Sequence, residues 1–305
     1  MKSSRRAFLK STSASVGVAL LNPLANSPDD LEKTFAEIRA NLLEMVNEER
    51  AVENLPTLEI DELATQVATK HAMDMAQGYF ASHWGRDGLK PYHRYSFAGG
   101  IHATQENISS ANNTWSMRPD DLKQDTAYLH VRFYQEKPPY DGHRRTILAP
   151  QNTHVGFGVA VEQLRLRLVE LFVAKHVAVE SIPRIAKPGA EIFFAGRMLN
   201  RDSVLKAVEV FYEPLPKVPE LSWLREPRGY SLPEESRVLR PKVSPPLRYS
   251  DGSRGVIDVS LDGSFRAPVK LYKTEPGIYT IVAWIRNDRS DKAFAATAVC
   301  IRALR

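Results

Sequence analysis

Residues 80–95 read FASHWGRDGLKPYHRY, residues 105–108 read QENI, and residues 133–158 read FYQEKPPYDGHRRTILAPQNTHVGFG. These stretches space two histidines and two glutamates, His83, Glu106, Glu136 and His143, among glycines and aromatic residues, so that one folded domain could gather all four into a cleft. Two imidazoles offer nitrogen lone pairs, and two carboxylates offer negative charge or proton acceptance. Such a set suits a divalent cation such as Zn²⁺, or acid/base work. Spacing leaves both uses open.

Upstream, Leu31, Phe35, Ile38, Leu42, Met45 and Val46 recur at intervals of three and four, the period of an amphipathic helix, with Asp29 and Asp30 favourable at its N-terminal end. Pro56 ends that pattern. A second helix is predicted over 61–77 and is stopped by Gly78. A short helix is expected over 91–98 and a third long one over 119–136, turning Glu136 toward the Pro138-Pro139 break. Downstream, HVGFGVAVEQ and RLRLVELFVAKHVAV alternate as two strands of an antiparallel hairpin that turns near Glu162-Gln163. Gly156 and Gly158 inside the first strand predict close approach of another backbone or a ligand. Arg165 and Arg167 alternate with leucines and are expected on a solvated face. Helices followed by strands make this region α+β.

The composition then shifts. All eight histidines lie between His71 and His176, whereas ten of the twenty prolines lie between Pro183 and Pro246. This predicts a first domain over 29–180, a linker over 181–190 and a second domain over 191–305. In the second, short alternating runs split by Asp262-Gly263, Pro276-Gly277 and Asn287-Asp288 predict an all-β sandwich of immunoglobulin-like type. It has no histidine and holds the chain's one cysteine, Cys300, set among alternating apolar neighbours as a buried structural thiol. A partner protein or wall polymer is its expected use.

The ordered motifs of the first domain, Phe80 with His83, Gln105 to Ile108, Gly142 to Leu148, and Val155 to Val159, resemble the CAP superfamily, the SCP or pathogenesis-related-1-like domain. The resemblance runs from about Leu31 to Val179 and implies an α-β-α sandwich whose cavity holds a divalent cation, Zn²⁺ or Mg²⁺, through two histidines with the glutamates close by. Position by position it assigns His83 and His143 as metal ligands and Glu106 and Glu136 as their neighbours. Thr146 stands where the bacterial form usually has Asn. Trp84, Tyr92, Tyr95 and Trp115 are the candidates for lining a ligand cleft. No organic cofactor is expected, and among the other imidazoles His102 is expected in a solvated loop.

Ser4-Arg5-Arg6-Ala7-Phe8-Leu9-Lys10, ahead of a weakly apolar run to Leu24, resembles a bacterial Tat export signal over 1–28. Lys2, Arg5, Arg6 and Lys10 account for four of the five net positive charges, leaving 5 − 4 = +1 beyond the signal, which argues against a nucleic-acid partner. No stretch has the length of uninterrupted apolar residues that a membrane span requires. The chain is therefore expected to be exported, periplasmic or extracellular. The first functional expectation is a cell-envelope module that binds a cation and a small lipid-like or wall-derived ligand. A structural envelope protein with a non-catalytic tetrad is the second. A metal-assisted hydrolase, with Glu106 or Glu136 as base, is the third, and against it stands the absence of Gly-x-Ser-x-Gly and His-Glu-x-x-His.

Overall fold

The computed structural model describes residues 28–112, 118–288 and 290–305. The twin-arginine motif and Trp115 lie outside the described residues. The first half holds helices α1 (Pro28–Val52), α2 (Glu62–Gly78), α3 (Pro91–Phe97), α4 (Pro119–Tyr134) and α5 (Gly142–Ile147), with strands β1 (Glu59–Ile60), β2 (Ala103–Asn112), β3 (His154–Glu162) and β4 (Arg165–Ala174). Sequence periodicity locates the three long helices to within a few residues. Asp61 starts α2 by accepting the Ala64 N–H at 2.5 Å. The left-handed residue that ends α2 is Tyr79, at φ 52°, one position past the expected Gly78. The polar edge strand β2 and the short helix α5 carry no clear period and are legible only in the folded chain.

The four strands form one sheet in the order β1-β3-β4-β2, which leaves β2 at an edge. Strands β3 and β4 pair antiparallel. Their turn lies at Gln163 and Leu164, both at positive φ, which matches the right-handed twist of a tight hairpin. Helices cover both faces. Ile38 and Leu42 of α1 and Leu129 and Phe133 of α4 pack with Phe157, Leu168 and Phe172 on one side. Ala64, Ala68, Ala72 and Met75 of α2 pack with Val169, Leu171 and Val173 on the other. The small side chains let α2 sit directly on β3. A Cβ at Gly158 would lie 2.1 Å from the Ala68 carbonyl carbon, and one at Gly156 would lie 2.2 Å from the Thr65 nitrogen. The close approach expected at these glycines is therefore that of the α2 backbone.

Covering both faces also corrects the expectation for Arg167. It is 2% exposed. Its Nε donates to the Phe80 carbonyl at 2.9 Å, and Nη1 donates to the carbonyls of Leu166 at 2.9 Å and Ala111 at 3.2 Å. The guanidinium lies on the face that α2 covers, where water cannot reach it.

The second half is built of β5 (Val177–Val179), β6 (Ile185–Ala186), β7 (Glu191–Met198), β8 (Val204–Pro214), the helical turn α6 (Leu221–Leu224), β9 (Ser236–Leu239), β10 (Asp258–Val259), β11 (Ser264–Lys270), β12 (Gly277–Asn287), β13 (Ser290–Ala295) and β14 (Val299–Ala303). They form a sheet of order β10-β11-β7-β5 and a second of order β6-β14-β12-β8-β9, with β13 beside β12. Phe194, Phe265 and Val269 of the first share one core with Val208, Tyr279 and Ile281 of the second.

The halves meet at α3. Leu89 and Tyr92 pack with Ile278, Ala298 and Cys300. The Ser96 hydroxyl accepts the Cys300 N–H at 2.7 Å and an Arg184 guanidinium N–H at 2.8 Å. Glu213 takes Lys90 at 2.9 Å and His93 at 3.1 Å. Cys300 is wholly buried here, and burial pushes its thiol up to about 12.

Replacing Gly158 by Ala is expected to lower the stability of the first half by about 1–3 kcal/mol or more, because the new methyl meets backbone that cannot yield. Urea unfolding followed by far-UV circular dichroism should show it. Gly142→Ala, where a Cβ meets nothing within 4 Å, should leave the midpoint nearly unchanged.

Candidate functional site

Strand β2 alternates its side chains across the sheet, so neighbouring residues serve opposite faces. Glu106 pairs opposite Leu171 on the α2 side, and Asn107 pairs opposite Glu170 on the α4 side. The site straddles this edge strand, with a histidine on each side.

On the α2 side, Glu106 is 4% exposed. Its Oε1 accepts from His83 Nδ1 at 2.9 Å and its Oε2 from Arg94 Nη2 at 2.6 Å. Burial by itself would raise its pKa. The positive charge of Arg94, with His71 and the His83 hydrogen bond behind it, overcomes burial and holds the carboxyl at about 2. An ionised carboxylate can only accept, so His83 Nδ1 is the donor, and in the neutral tautomer of the ring Nε2 carries the lone pair. The other arm of Arg94, Nη1, donates to the carbonyls of His83 at 2.6 Å and Leu89 at 2.8 Å, fixing the loop that carries the histidine.

Tyr230, from the second half, completes this side. Its ring lies 4.7 Å from that of His83, and its hydroxyl accepts the Glu106 backbone N–H at 2.8 Å. An edge strand has main-chain groups with no neighbouring strand, and Tyr230 satisfies one of them.

On the α4 side, Glu136 Oε1 accepts from His143 Nδ1 at 2.5 Å, and Oε2 accepts the His143 backbone N–H at 2.9 Å. Phe133 packs against the imidazole at 4.5 Å between ring centroids. Asn107 Nδ2 donates to the His143 carbonyl at 3.2 Å and to Glu170 Oε2 at 3.2 Å. Thr146, at the position where the family usually has Asn, donates its hydroxyl to the Gly142 carbonyl at 3.1 Å.

His83, Glu136 and His143 line one cavity of about 660 Å³, together with Ser109, Arg132 and the segment Pro227, Arg228 and Gly229. Glu106 stands behind His83. Each histidine commits Nδ1 to a glutamate, and neither Nε2 has a protein partner among the described residues. A carboxylate on Nδ1 raises the basicity of Nε2 and fixes the plane of the ring, the usual support for a metal-binding imidazole. Two such nitrogens on one cavity fit a divalent cation whose remaining ligands are water or substrate oxygens. They do not form a closed protein cage: among the described residues no group of three or more His, Cys, Asp or Glu is arranged around a point.

The aromatic candidates lie elsewhere. Trp84 packs edge-on against Trp223 at 5.3 Å. Tyr92 is buried where the halves meet, its hydroxyl 3.2 Å from both Glu213 Oε1 and the Ser231 carbonyl. Tyr95 is buried, with its hydroxyl 3.4 Å from Asp61. None of the three is among the residues that line the cavity. His102, expected in a solvated loop, instead pairs with Thr297 in an isolated bridge between the halves. Burial, and then the charge of Lys175, lower its pKa to about 4. The sequence motifs do not disclose the roles of Arg94 and Tyr230, nor that of Asn107 within Gln105 to Ile108. Asn107 had a signal, being the residue after Glu106 on an alternating strand. Tyr230 had none, since 124 positions separate it from Glu106.

Behind the α4 side lies a second set of buried charges. His130 Nδ1 meets Glu170 Oε1 at 2.6 Å and Nε2 meets Glu49 Oε2 at 3.1 Å. Burial opposes the charged imidazole, but Glu170 and Glu49 outweigh it and raise its pKa to about 10. With the folded value above the ordinary 6.5, the stabilisation is complete below about pH 6.5 and disappears as pH rises through about 10. His130→Leu leaves Glu170 buried without its cation, and is expected to cost about 3–5 kcal/mol near pH 6. Parallel urea titrations of the two proteins should show the difference shrinking as pH approaches 10.

Residues 43–173 match the CAP family, described as the cysteine-rich secretory protein family. No curated protein matches the chain. Among solved structures it is similar to an extracellular protein containing an SCP domain from Bacillus anthracis str. Ames, at 23% identity over 50% of this chain and 45% of that one, with a TM-score of 0.38. It is also similar to an outer surface protein from Borrelia burgdorferi, at 18% identity, 49% and 95% coverage and a TM-score of 0.34. The CAP domain of Enterococcal PrgA gives 14% identity, 50% and 64% coverage and a TM-score of 0.34. The chain thus spans less than half the length of the first of these proteins. Residues 43–173, which supply both histidines, both glutamates and the sheet between them, are the part of the chain that matches the CAP family.

Proposed function

We propose that the cavity binds a divalent cation through Nε2 of His83 and His143 and, with it, a small anionic ligand, either lipid-like or derived from the cell wall. The observation that carries this reading is the orientation of the two imidazoles: each gives Nδ1 to a glutamate, and both line the same cavity. A bound cation would supply a positive point charge to an oxygen of the ligand. Imidazole nitrogens suit Zn²⁺ better than Mg²⁺, which prefers oxygen.

The ligand's charge follows from the rest of the wall. Arg132 and Arg228 line the cavity beside the imidazoles of His83 and His143. Arg228 pairs with Glu226 and lies over the Trp223 ring at 4.6 Å, yet its buried Nε–H has no partner. Two guanidinium groups would repel a bare cation, and a carboxylate or phosphate on the ligand would attract all three charges. The second half, which we read as an immunoglobulin-like sandwich, takes part through Pro227, Arg228 and Gly229. The twin-arginine segment supports export to the envelope, where such ligands occur. No helix of the described residues is long and apolar enough to cross a membrane.

Calorimetric titration of the metal-freed chain tests the cation. Zn²⁺ should bind with measurable heat and Mg²⁺ more weakly, and the His83→Ala/His143→Ala double variant should lose Zn²⁺ binding by roughly a hundredfold or more while keeping its far-UV spectrum. Absence of Zn²⁺ binding to the unmodified chain would leave the tetrad as a structural hydrogen-bond set.

A further inference from the structure

The two halves meet along a seam that holds two histidines of the first half. At one place His102 forms an isolated antiparallel bridge with Thr297: the Ala103 N–H donates to the Ala296 carbonyl at 3.2 Å, and the Ala298 N–H donates to the Ile101 carbonyl at 3.3 Å. At another, Glu213 takes Lys90 at 2.9 Å and His93 at 3.1 Å. Cys300, next but one to Ala298, is wholly buried in the same seam, packed with Leu89 and Tyr92. It is the chain's one thiol.

The two contacts answer acid differently. Burial would raise the Glu213 carboxyl, but His93 and Lys90 hold it below its ordinary value, so in mild acid it stays ionised and keeps Lys90. His102 has no carboxylate of its own. Its Nδ1 is buried without a hydrogen-bond partner. The register that sets Ala103 opposite Ala174 brings His102, one step on, beside Lys175. The other titratable groups that act on it are His176 after β4, Asp61 at the start of α2 and His154 on β3. Asp61 is already committed to Lys175 at 2.9 Å, and Glu59 of β1 lies 3.7 Å from His154. Beyond β5, Arg184 adds a further positive charge close by, donating to the Gly100 carbonyl at 3.0 Å.

A proton on His102 would place a charge out of water and next to an ammonium. The imidazole is therefore neutral while the halves are together. With its folded pKa lowered from 6.5 to about 4, the neutral ring's share of closure is complete above about pH 6.5 and is lost as pH falls through about 4. Parting the halves lets water solvate the imidazolium, so acid favours the parted state.

We propose that the seam is an acid-sensitive switch: protonation of His102 breaks the bridge to Thr297, parts the second half from the first, and withdraws Arg228 and Tyr230 from the histidine cavity. His102 touches neither His83 nor His143, and the parting does not depend on a cation between them. What the switch does to a ligand in that cavity rests on the function proposed above, whereas the parting itself does not.

Cys300 reports the parting in the full chain, because a dithiodipyridine reagent reaches its buried thiol only when the seam is open. The modification rate, divided at each pH by that of the urea-unfolded chain, should rise by roughly thirtyfold between about pH 7.5 and about pH 5, with the far-UV spectrum unchanged. His102→Gln, which stays neutral, should remove the rise. Lys175→Met, which takes away the ammonium beside His102, should shrink it. Equal protection of the thiol at both pH values would overturn the proposal, as would a rise that persists in His102→Gln or one that comes with loss of the far-UV spectrum. If glutamine at position 102 disturbs the fold, a rise left undiminished by Lys175→Met overturns it instead. The readout is independent of Zn²⁺ binding, so failure of the switch and failure of the cation site are told apart.

Discussion

The carboxylate of Glu106 is the charge around which this protein closes. Alone in the interior it would cost several kcal/mol, and the chain answers with Arg94 on one oxygen and His83 on the other. Neither partner is free to move, because the same guanidinium holds the carbonyls of His83 and Leu89. The backbone N–H of Glu106 is taken in turn by Tyr230, so one residue ties together α3, the histidine loop, the sheet edge and the second half. That tie also sets the proton on His83. With the carboxylate ionised, Nδ1 is the donor and Nε2 is the ring nitrogen left for the cavity.

A sheet covered on both faces has no wet side, and every charge carried into it needs a local answer. Three such charges serve the loops around the site. Arg50, fully buried, donates to the carbonyls of Pro56, Ile147 and Ala149, giving hydrogen bonds to loops that lack a ladder of their own. Arg167 does the same for Phe80, three residues before His83. The His130–Glu170 pair reaches the His143 loop through Asn107. The site's histidines stand on loops, and buried side chains from the rigid elements hold those loops in place.

The second half is part of the site as well as a neighbour of it. Leu89 and Tyr92 share an apolar cluster with Cys300 and Ile278, which seats α3 against the strands. From the same half, the segment through Trp223 and Tyr230 runs along the first. Trp223 meets Trp84, Arg225 donates to the Tyr79 carbonyl, and Tyr230 covers His83. The outer wall of the histidine cavity is thus made of residues far from the CAP motifs.

The amino-acid sequence by itself determined the long helices, the β3–β4 hairpin and the close packing at Gly156 and Gly158, because period, turn chemistry and the absence of a side chain are local properties. It also marked His83, Glu106, Glu136 and His143 as motif residues, without saying which histidine takes which glutamate. β2 and α5 stayed hidden because an edge strand beside a cleft is polar and a six-residue helix has no face to repeat. Only the tertiary structure decided that Glu106 belongs to Arg94 and Tyr230, that Arg167 is buried, and that His102 bridges the two halves. Those outcomes depend on which surfaces meet when the two halves pack, and contacts between residues as far apart as Glu106 and Tyr230 leave no trace in any local pattern.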